Sequence, residues 1–243
     1  MSACALRSPG DDAFDQIDLE RLNEAWCGLS AIQRVECALD HLPGPHVMSS
    51  SFGMQSAVML HLVTRVEPEI PVIFVDTGYH FAETYRFVDE LAERLSLNLR
   101  VARGDTSPAW QEARYGKRWE QGHEGIRGYN LQNKVRPMQQ ALNELAAATW
   151  FSGLRRSQAA SRADVALIGR QWQRLKIHPI ADWSDREVHS YLQQHGLPYH
   201  PLRERGFLSI GDWHTTRSIH EVGDEDKLRF FGLTRECGLH ESE

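Results

Sequence analysis

The run Pro71-Val72-Ile73-Phe74-Val75 is continuously apolar and passes straight into Asp76-Thr77-Gly78. A stretch so short and so uniformly apolar predicts a strand buried on both faces. Such a strand needs helices above and below it, which points to a parallel sheet in an α/β architecture with right-handed crossovers. The flanking pattern agrees. Val47-Met48 leads into Ser49–Gly53, and Ala57, Val58, Leu60, Leu62 and Val63 follow at helix spacing. A helix is predicted from about Ala82 to Leu95, a third strand over Leu97–Val101, and a helix over Met138–Ala147. Thr149–Gly153 reads as a fourth strand and its turn, with Val165–Ile168 and Leu175–Ile180 as a hairpin or sheet edge. Ser184 with Glu187 three places later forms a capping box, and that helix ends near Gly196-Leu197-Pro198. Residues 12–40 read as helical, and the pattern beyond Tyr199 is irregular. No internal repeat or low-complexity segment interrupts it.

Composition narrows the function classes. With 243 residues, 41% hydrophobic and 25% charged, the chain can bury a sizeable core without disulfide staples. The formal net charge of −6 argues against generic nucleic-acid binding. No apolar run approaches membrane-spanning length, and Met1–Phe14 lacks a signal core, so a soluble cytoplasmic protein is expected. Four cysteines are present, none in a Cys-x-x-Cys pair, so local spacing offers neither a zinc ribbon nor a ferredoxin-type site. Cys27 and Cys37 occupy apolar helical positions and are read as packing residues. His214 with Asp212 lacks third and fourth metal ligands, and no metal is expected.

Cys237 is different. It lies in Arg235-Glu236-Cys237-Gly238-Leu239-His240, a lone thiol near an arginine and a histidine. Nearby positive charge favours the thiolate, the nucleophilic form, and a terminal segment can carry one sulfur between two partners. His240 and Arg235 are the groups that favour it.

In a parallel sheet, ligands sit beyond the carboxyl ends of the strands. Three predicted strands end there in anion-friendly residues. The first ends in Ser49, Ser50, Ser51, Phe52, Gly53 and Gln55, where hydroxyls and backbone N–H groups precede a helix. Asp76, Thr77 and Gly78 end the second, offering a carboxylate to a ribose or base. The fourth ends in Gly153, Arg155 and Arg156, with Ser161 and Arg162 after it, and guanidinium forks suit phosphate or sulfate. Together they imply a nucleotide carrying more than one anionic group. Tyr79 and Phe52 are the candidate rings near it. The tryptophans at 110, 119, 150, 172, 183 and 213 are expected in the core or an interface.

Six segments in order carry a resemblance over nearly the whole chain. They are Ser49–Gly53, Asp76-Thr77-Gly78-Tyr79, Trp110–Gly116, Trp150–Arg156, His214-Thr215-Thr216-Arg217 and Glu236–His240. The sequence resembles the 3′-phosphoadenylylsulfate (PAPS) reductases, thioredoxin-dependent enzymes of assimilatory sulfate reduction that feed cysteine biosynthesis. That resemblance implies an adenine nucleotide α-hydrolase-like fold with a mobile C-terminal tail, usually as a homodimer. It divides the single domain 1–243 into an N-terminal helical region (1–45), a nucleotide-binding core (46–200) and a C-terminal arm (201–243). Further implications are reduction of PAPS to sulfite and adenosine 3′,5′-bisphosphate through a Cys237 S-sulfonate, with thioredoxin or glutaredoxin as external reductant. By resemblance, Lys134, Arg217 and Arg229 face the phosphosulfate. Related ATP pyrophosphatases carry an acidic residue in the first loop, and Ser51–Ser56 lacks one. Related adenylylsulfate reductases hold a [4Fe–4S] cluster through four cysteines. Tyr129, Asn130, Asp212 and Thr215 stand at those places here, so no cluster is expected. An adenylyl-transferring enzyme of the same fold and a non-catalytic nucleotide-binding module are the alternatives.

Overall fold

The computed structural model describes residues 17–224, 228–233 and 239. Six strands form one sheet: β1 (His46–Ser49), β2 (Pro71–Asp76), β3 (Asn98–Arg103), β4 (Thr149–Phe151), β5 (Ile168–Gln171) and β6 (Arg174–Ile177). Their order is β3-β2-β1-β4-β6-β5. Every neighbouring pair is parallel except β5–β6, an antiparallel hairpin at one edge. The apolar run that predicted a doubly covered strand is β2, with residues 72–76 all buried.

Alternation splits the strand residues between two layers. Met48, Val72, Phe74, Phe151, Leu175 and Ile177 face the larger core. That core is closed by α1 (Leu19–Cys27), α2 (Ala31–His41), α3 (Ala57–Thr64), α4 (Ala82–Arg94) and α8 (Asp185–Gln194). Val47, Ile73, Val75 and Trp150 face the other way and pack on Met138, Ala141 and Leu142 of α7 (Arg136–Glu144). Helices therefore lie on both faces of a mostly parallel sheet, as the sequence predicts.

Several local expectations are corrected. Of the stretch 12–40 that reads as helical, the described part from residue 17 holds two helices, because Gly28 caps α1 and Ser30 with Gln33 opens α2 through a capping box. Two helices precede α7 where the sequence suggested no element: α5 (Pro108–Tyr115), capped by Ser107 with Pro108 in its first turn, and α6 (Gly122–Asn130). A π-turn over Leu131–Val135 joins α6 to α7. Pro137 lacks the N–H that Asn133 would bond in a regular helix, which accounts for the wider turn. Cys27 is exposed, whereas Cys37 is buried and disulfide-bonded. Trp110 and Trp213 are more than half exposed, not core residues.

Candidate active site

The chain builds the sheet outward from β1 through β2 to β3, then returns to place β4 on the other side of β1. The loops after β1 and β4 therefore diverge, opening the crevice where ligands bind in such sheets. The first loop spends its hydroxyls internally. Ser49 Oγ accepts from Trp150 Nε1 at 2.6 Å and Ser50 Oγ accepts from Phe52 N at 3.1 Å, while Ser51 is exposed. Phe52 has φ of 47° and a fully buried ring set edge-on to Phe74. The proposed ring platform at Phe52 is therefore corrected: its side chain anchors the loop in the core and leaves the backbone at the crevice. Gly53 O accepts from Ser56, and a Cβ on Gly153 would sit 3.0 Å from Met59 Cγ, so Gly153 lets the backbone lie close to α3.

Arg155 crosses the switch point. Its buried guanidinium donates to Gln55 Oε1, to Asp185 Oδ1 at 2.8 Å and to Ser157 Oγ at 3.0 Å. It ties the first loop to the start of α8. Arg156 is exposed and donates to Val165 O, while Ser161 is exposed and Arg162 donates to Gln158 Oε1 at 2.6 Å. These four positions lie together after β4.

On the β2 side, Asp76 accepts from Gly78 N (2.9 Å), Tyr85 Oη (2.7 Å) and Arg103 Nε (2.8 Å). Burial by itself raises its pKa, but those three donors outweigh it and hold the carboxyl below its ordinary range. Asp76 is thus an internal anchor of its loop. Gly78 has φ of 75°, and a Cβ there would lie 2.5 Å from Pro108 Cγ, so both conformation and space demand glycine. Thr77 Oγ1 donates to Asp212 Oδ1 at 2.6 Å.

Asp212 is the hub that sequence reasoning missed. It is fully buried, and Lys134 Nζ, itself 6% exposed, lies 2.7 Å from Oδ2. Desolvation works to raise the Asp212 pKa, yet the Lys134 ammonium foremost keeps it far below the carboxylate range. Lys134 comes from the π-turn and also sits over the rings of Phe230 (5.0 Å) and Tyr129 (5.4 Å). Arg229 lies 5.2 Å from the Phe230 ring and donates to Ile210 O and Ser209 Oγ. Arg217 N donates to Leu228 O, and Thr216 bridges to Arg229. Lys134 and Arg229, distant in sequence, thus meet at Phe230, while the Arg217 guanidinium donates to His214 O and Thr216 O beside them. Cys237 and His240 lie outside the described residues.

Beside these cations, His214 stacks on Trp119 at 3.8 Å and meets Tyr79 and Tyr129 edge-on. Burial, with Lys134 and Arg217, pushes its pKa down to about 4 against the pull of Asp212, so the imidazole is neutral at pH 7. Tyr79, the second candidate ring, is buried with its hydroxyl on Glu112 Oε1, so it too is no open platform. Neither ring nitrogen of His214 has a hydrogen-bond partner, nor do Asn130 Oδ1 and Thr216 Oγ1. Buried polar groups are rarely left so, which makes the region around Lys134 a candidate site. Tyr129, Asn130, Asp212 and Thr215, the four places compared with cluster cysteines, are all buried, and Thr215 bonds back to Asp212. Among the described residues, no three His, Cys, Asp or Glu side chains gather as metal ligands.

The sheet order, the switch-point crevice and the helices on both faces define an adenine nucleotide α-hydrolase-like protein. A fungal FMN adenylyltransferase from Candida glabrata shares this fold at a TM-score of 0.58 and 15% identity, covering 100% of this chain and 87% of that one. Residues 45–218 match the phosphoadenosine phosphosulfate reductase domain. The chain is 61% identical over 213 residues to a phosphoadenosine 5′-phosphosulfate reductase of Serratia proteamaculans, covering 88% of this chain and 87% of that protein. The crystal structure of a phosphoadenylyl-sulfate reductase from Candida auris, a phosphate complex, superposes at a TM-score of 0.71 with 27% identity, over 88% of this chain and 100% of that one. The chain belongs to the phosphoadenosine phosphosulfate reductase family.

Proposed function

We propose that this protein reduces PAPS to sulfite and adenosine 3′,5′-bisphosphate, with thioredoxin or glutaredoxin as the electron donor, in cytoplasmic sulfate assimilation. The observation that carries the reading is that Lys134 and Arg229 meet at Phe230, with Arg217 on the neighbouring His214 and Thr216 carbonyls, beside buried, unpartnered polar atoms at the sheet's carboxyl edge. Close relatives named as PAPS reductases support the substrate.

In this reading the Cys237 thiolate attacks the sulfur of the phosphosulfate. A sulfur–sulfur bond forms, the bridging sulfur–oxygen bond breaks, and adenosine 3′,5′-bisphosphate leaves with the electron pair on its phosphate oxygen. Fixed cations stabilise that growing charge, each worth roughly 3–4 kcal/mol by analogy with oxyanion donors. Arg217 and Arg229 supply it, while Lys134 acts from a pair already neutralised by Asp212. A thioredoxin thiolate then attacks Cys237 Sγ and displaces sulfite, and the second thioredoxin thiol resolves the mixed disulfide. His240 favours the Cys237 thiolate. Ser49, Ser50, Ser51, Phe52, Gly53 and Gln55, with Asp76, Thr77 and Gly78, frame the nucleotide. Gly153, Arg155, Arg156, Ser161 and Arg162 frame its anionic end. Gln55, in place of an acidic residue, favours this reading over adenylyl transfer, which needs magnesium held near a pyrophosphate. We further propose a homodimer with no resident cofactor.

Intact-mass analysis after mixing with PAPS and no reductant tests the proposal. The wild type should gain the mass of one sulfonate and a Cys237→Ser variant should gain none; an unchanged wild-type mass overturns the mechanism.

A further inference from the structure

Away from the cation cluster, the sheet face carrying α7 holds a second buried ammonium that the reaction above does not use. Lys176 lies on β6, in register with Trp150 of β4, and is 4% exposed. Its Nζ sits 4.1 Å from the centre of the Trp150 ring and donates to Gln171 Oε1 and, at 2.9 Å, to the carbonyl of Leu239. The Leu239 side chain is half-buried and packs with the cluster of Val47, Ile73, Val75 and Trp150. A buried ammonium needs acceptors, because desolvation otherwise disfavours it strongly. One acceptor here belongs to the end of the chain.

The β5–β6 turn shapes the same place. Trp172 and Gln173 have φ of 50° and 58°, the left-handed pairing of a tight hairpin, in which glycine and asparagine are the usual residues. Non-glycine residues hold that conformation where surrounding contacts over-determine it. Here the contact is Trp172 stacked on Trp150 at 5.7 Å and 15°. Lys176, Gln171, Trp150 and Trp172 thus form a built cradle whose polar and apolar parts both meet Leu239.

We propose that Lys176 is a positioning residue: its cradle captures the chain at Leu239 and so sets the reach of Cys237, two residues earlier. The function assigned to this anchor rests on Cys237 being the nucleophile. Two residues of chain span at most about 7 Å, so a fixed Leu239 carbonyl limits where the thiol can go. Losing the ammonium releases the arm without touching Lys134, Arg217 or Arg229.

Peptide-resolved mass spectrometry of iodoacetamide labelling tests this on the full chain without nucleotide. Exposed Cys27 serves as the internal reference. Lys176→Met should speed labelling of Cys237 about tenfold, the scale of one hydrogen bond to a charged group, with the Cys27 rate unchanged. Should that variant disturb the fold and change the Cys27 rate, Leu239→Ala, which keeps the carbonyl but removes the side chain's packing against the Trp150 cluster, should also speed labelling of Cys237 by weakening the apolar half of the cradle. Wild-type labelling rates at Cys237 in a folded variant overturn the proposal. Because labelling needs no PAPS, this result is separate from sulfonate formation: a chain that takes no sulfonate refutes the proposed function and leaves the cradle to be judged by labelling alone.

Discussion

At the scale of single residues, the Lys134–Asp212 pair has consequences for any test of the site. Removing one partner of a buried ion pair strands the other charge, which costs about 3–5 kcal/mol. Lys134→Met should therefore lower stability by about that amount, measured by denaturant unfolding, as well as activity. Adding Asp212→Asn should restore most of the stability and none of the activity; if the double variant is no more stable than the single one, Asp212 is not the group that Lys134 neutralises. Lys134 was legible only through family resemblance, since an isolated lysine reads as surface. Asp212 was noted as a cluster-position replacement and a weak metal candidate, and its true role needed its contacts with Lys134 and Thr77. Phe52 and Tyr79 show the converse. Both lie in the right loops, but their rings point into packed aromatic neighbours rather than into the crevice.

Among elements, Gln55 and Arg155 link the β1 and β4 loops across the switch point with a neutral acceptor on a buried cation. Gln55→Glu would keep the acceptor and add a negative charge where an anionic nucleotide is proposed to bind. The expected result is a KM for PAPS raised about tenfold or more with unfolding stability unchanged or higher, since one like-charge contact at partial burial is worth over 1 kcal/mol. An unchanged KM would place the nucleotide's anionic groups elsewhere. Strands were legible because their short apolar runs end in turn residues. Helices α5 and α6 were not, because their apolar faces are small: Gln111 is buried on a hydrogen bond to Asn133, and Gly125 approaches Arg118 O closely. The π-turn that carries Lys134 follows from Pro137, a signal present in the sequence but readable only once the surrounding helix is known.

Taken whole, the molecule buries histidines that its fold keeps neutral. Burial lowers the pKa of His178 to about 3 and of His200 and His214 to about 4, all below the ordinary value near 6.5. Between those values the unfolded chain binds protons that the folded chain refuses, so stability rises with pH through this window and is lost as pH falls from about 6.5 to 4. The loss is on the order of 1 kcal/mol per ring per pH unit. Urea midpoints should be flat from pH 7 to 8 and fall steeply below 6.5; equal midpoints at pH 7.5 and 5 would show that the rings charge without cost. Asp212, held anionic, adds no loss in this range, because its pKa is lowered and its contribution disappears only in stronger acid.

The sequence alone determined the α/β class, the doubly covered β2, the polar strand ends and the separate character of Cys237, because these depend on local periodicity and on residue chemistry within a few positions. Tertiary structure decided which polar groups remain available. Ser49 is satisfied by Trp150, and Arg155 bonds Gln55, partners that only the fold brings together, while His214, Asn130 and Thr216 keep unsatisfied atoms near Lys134. A hydrogen bond to a residue a hundred positions away leaves no mark on local pattern, yet it separates a group that holds the scaffold from one free to meet a ligand.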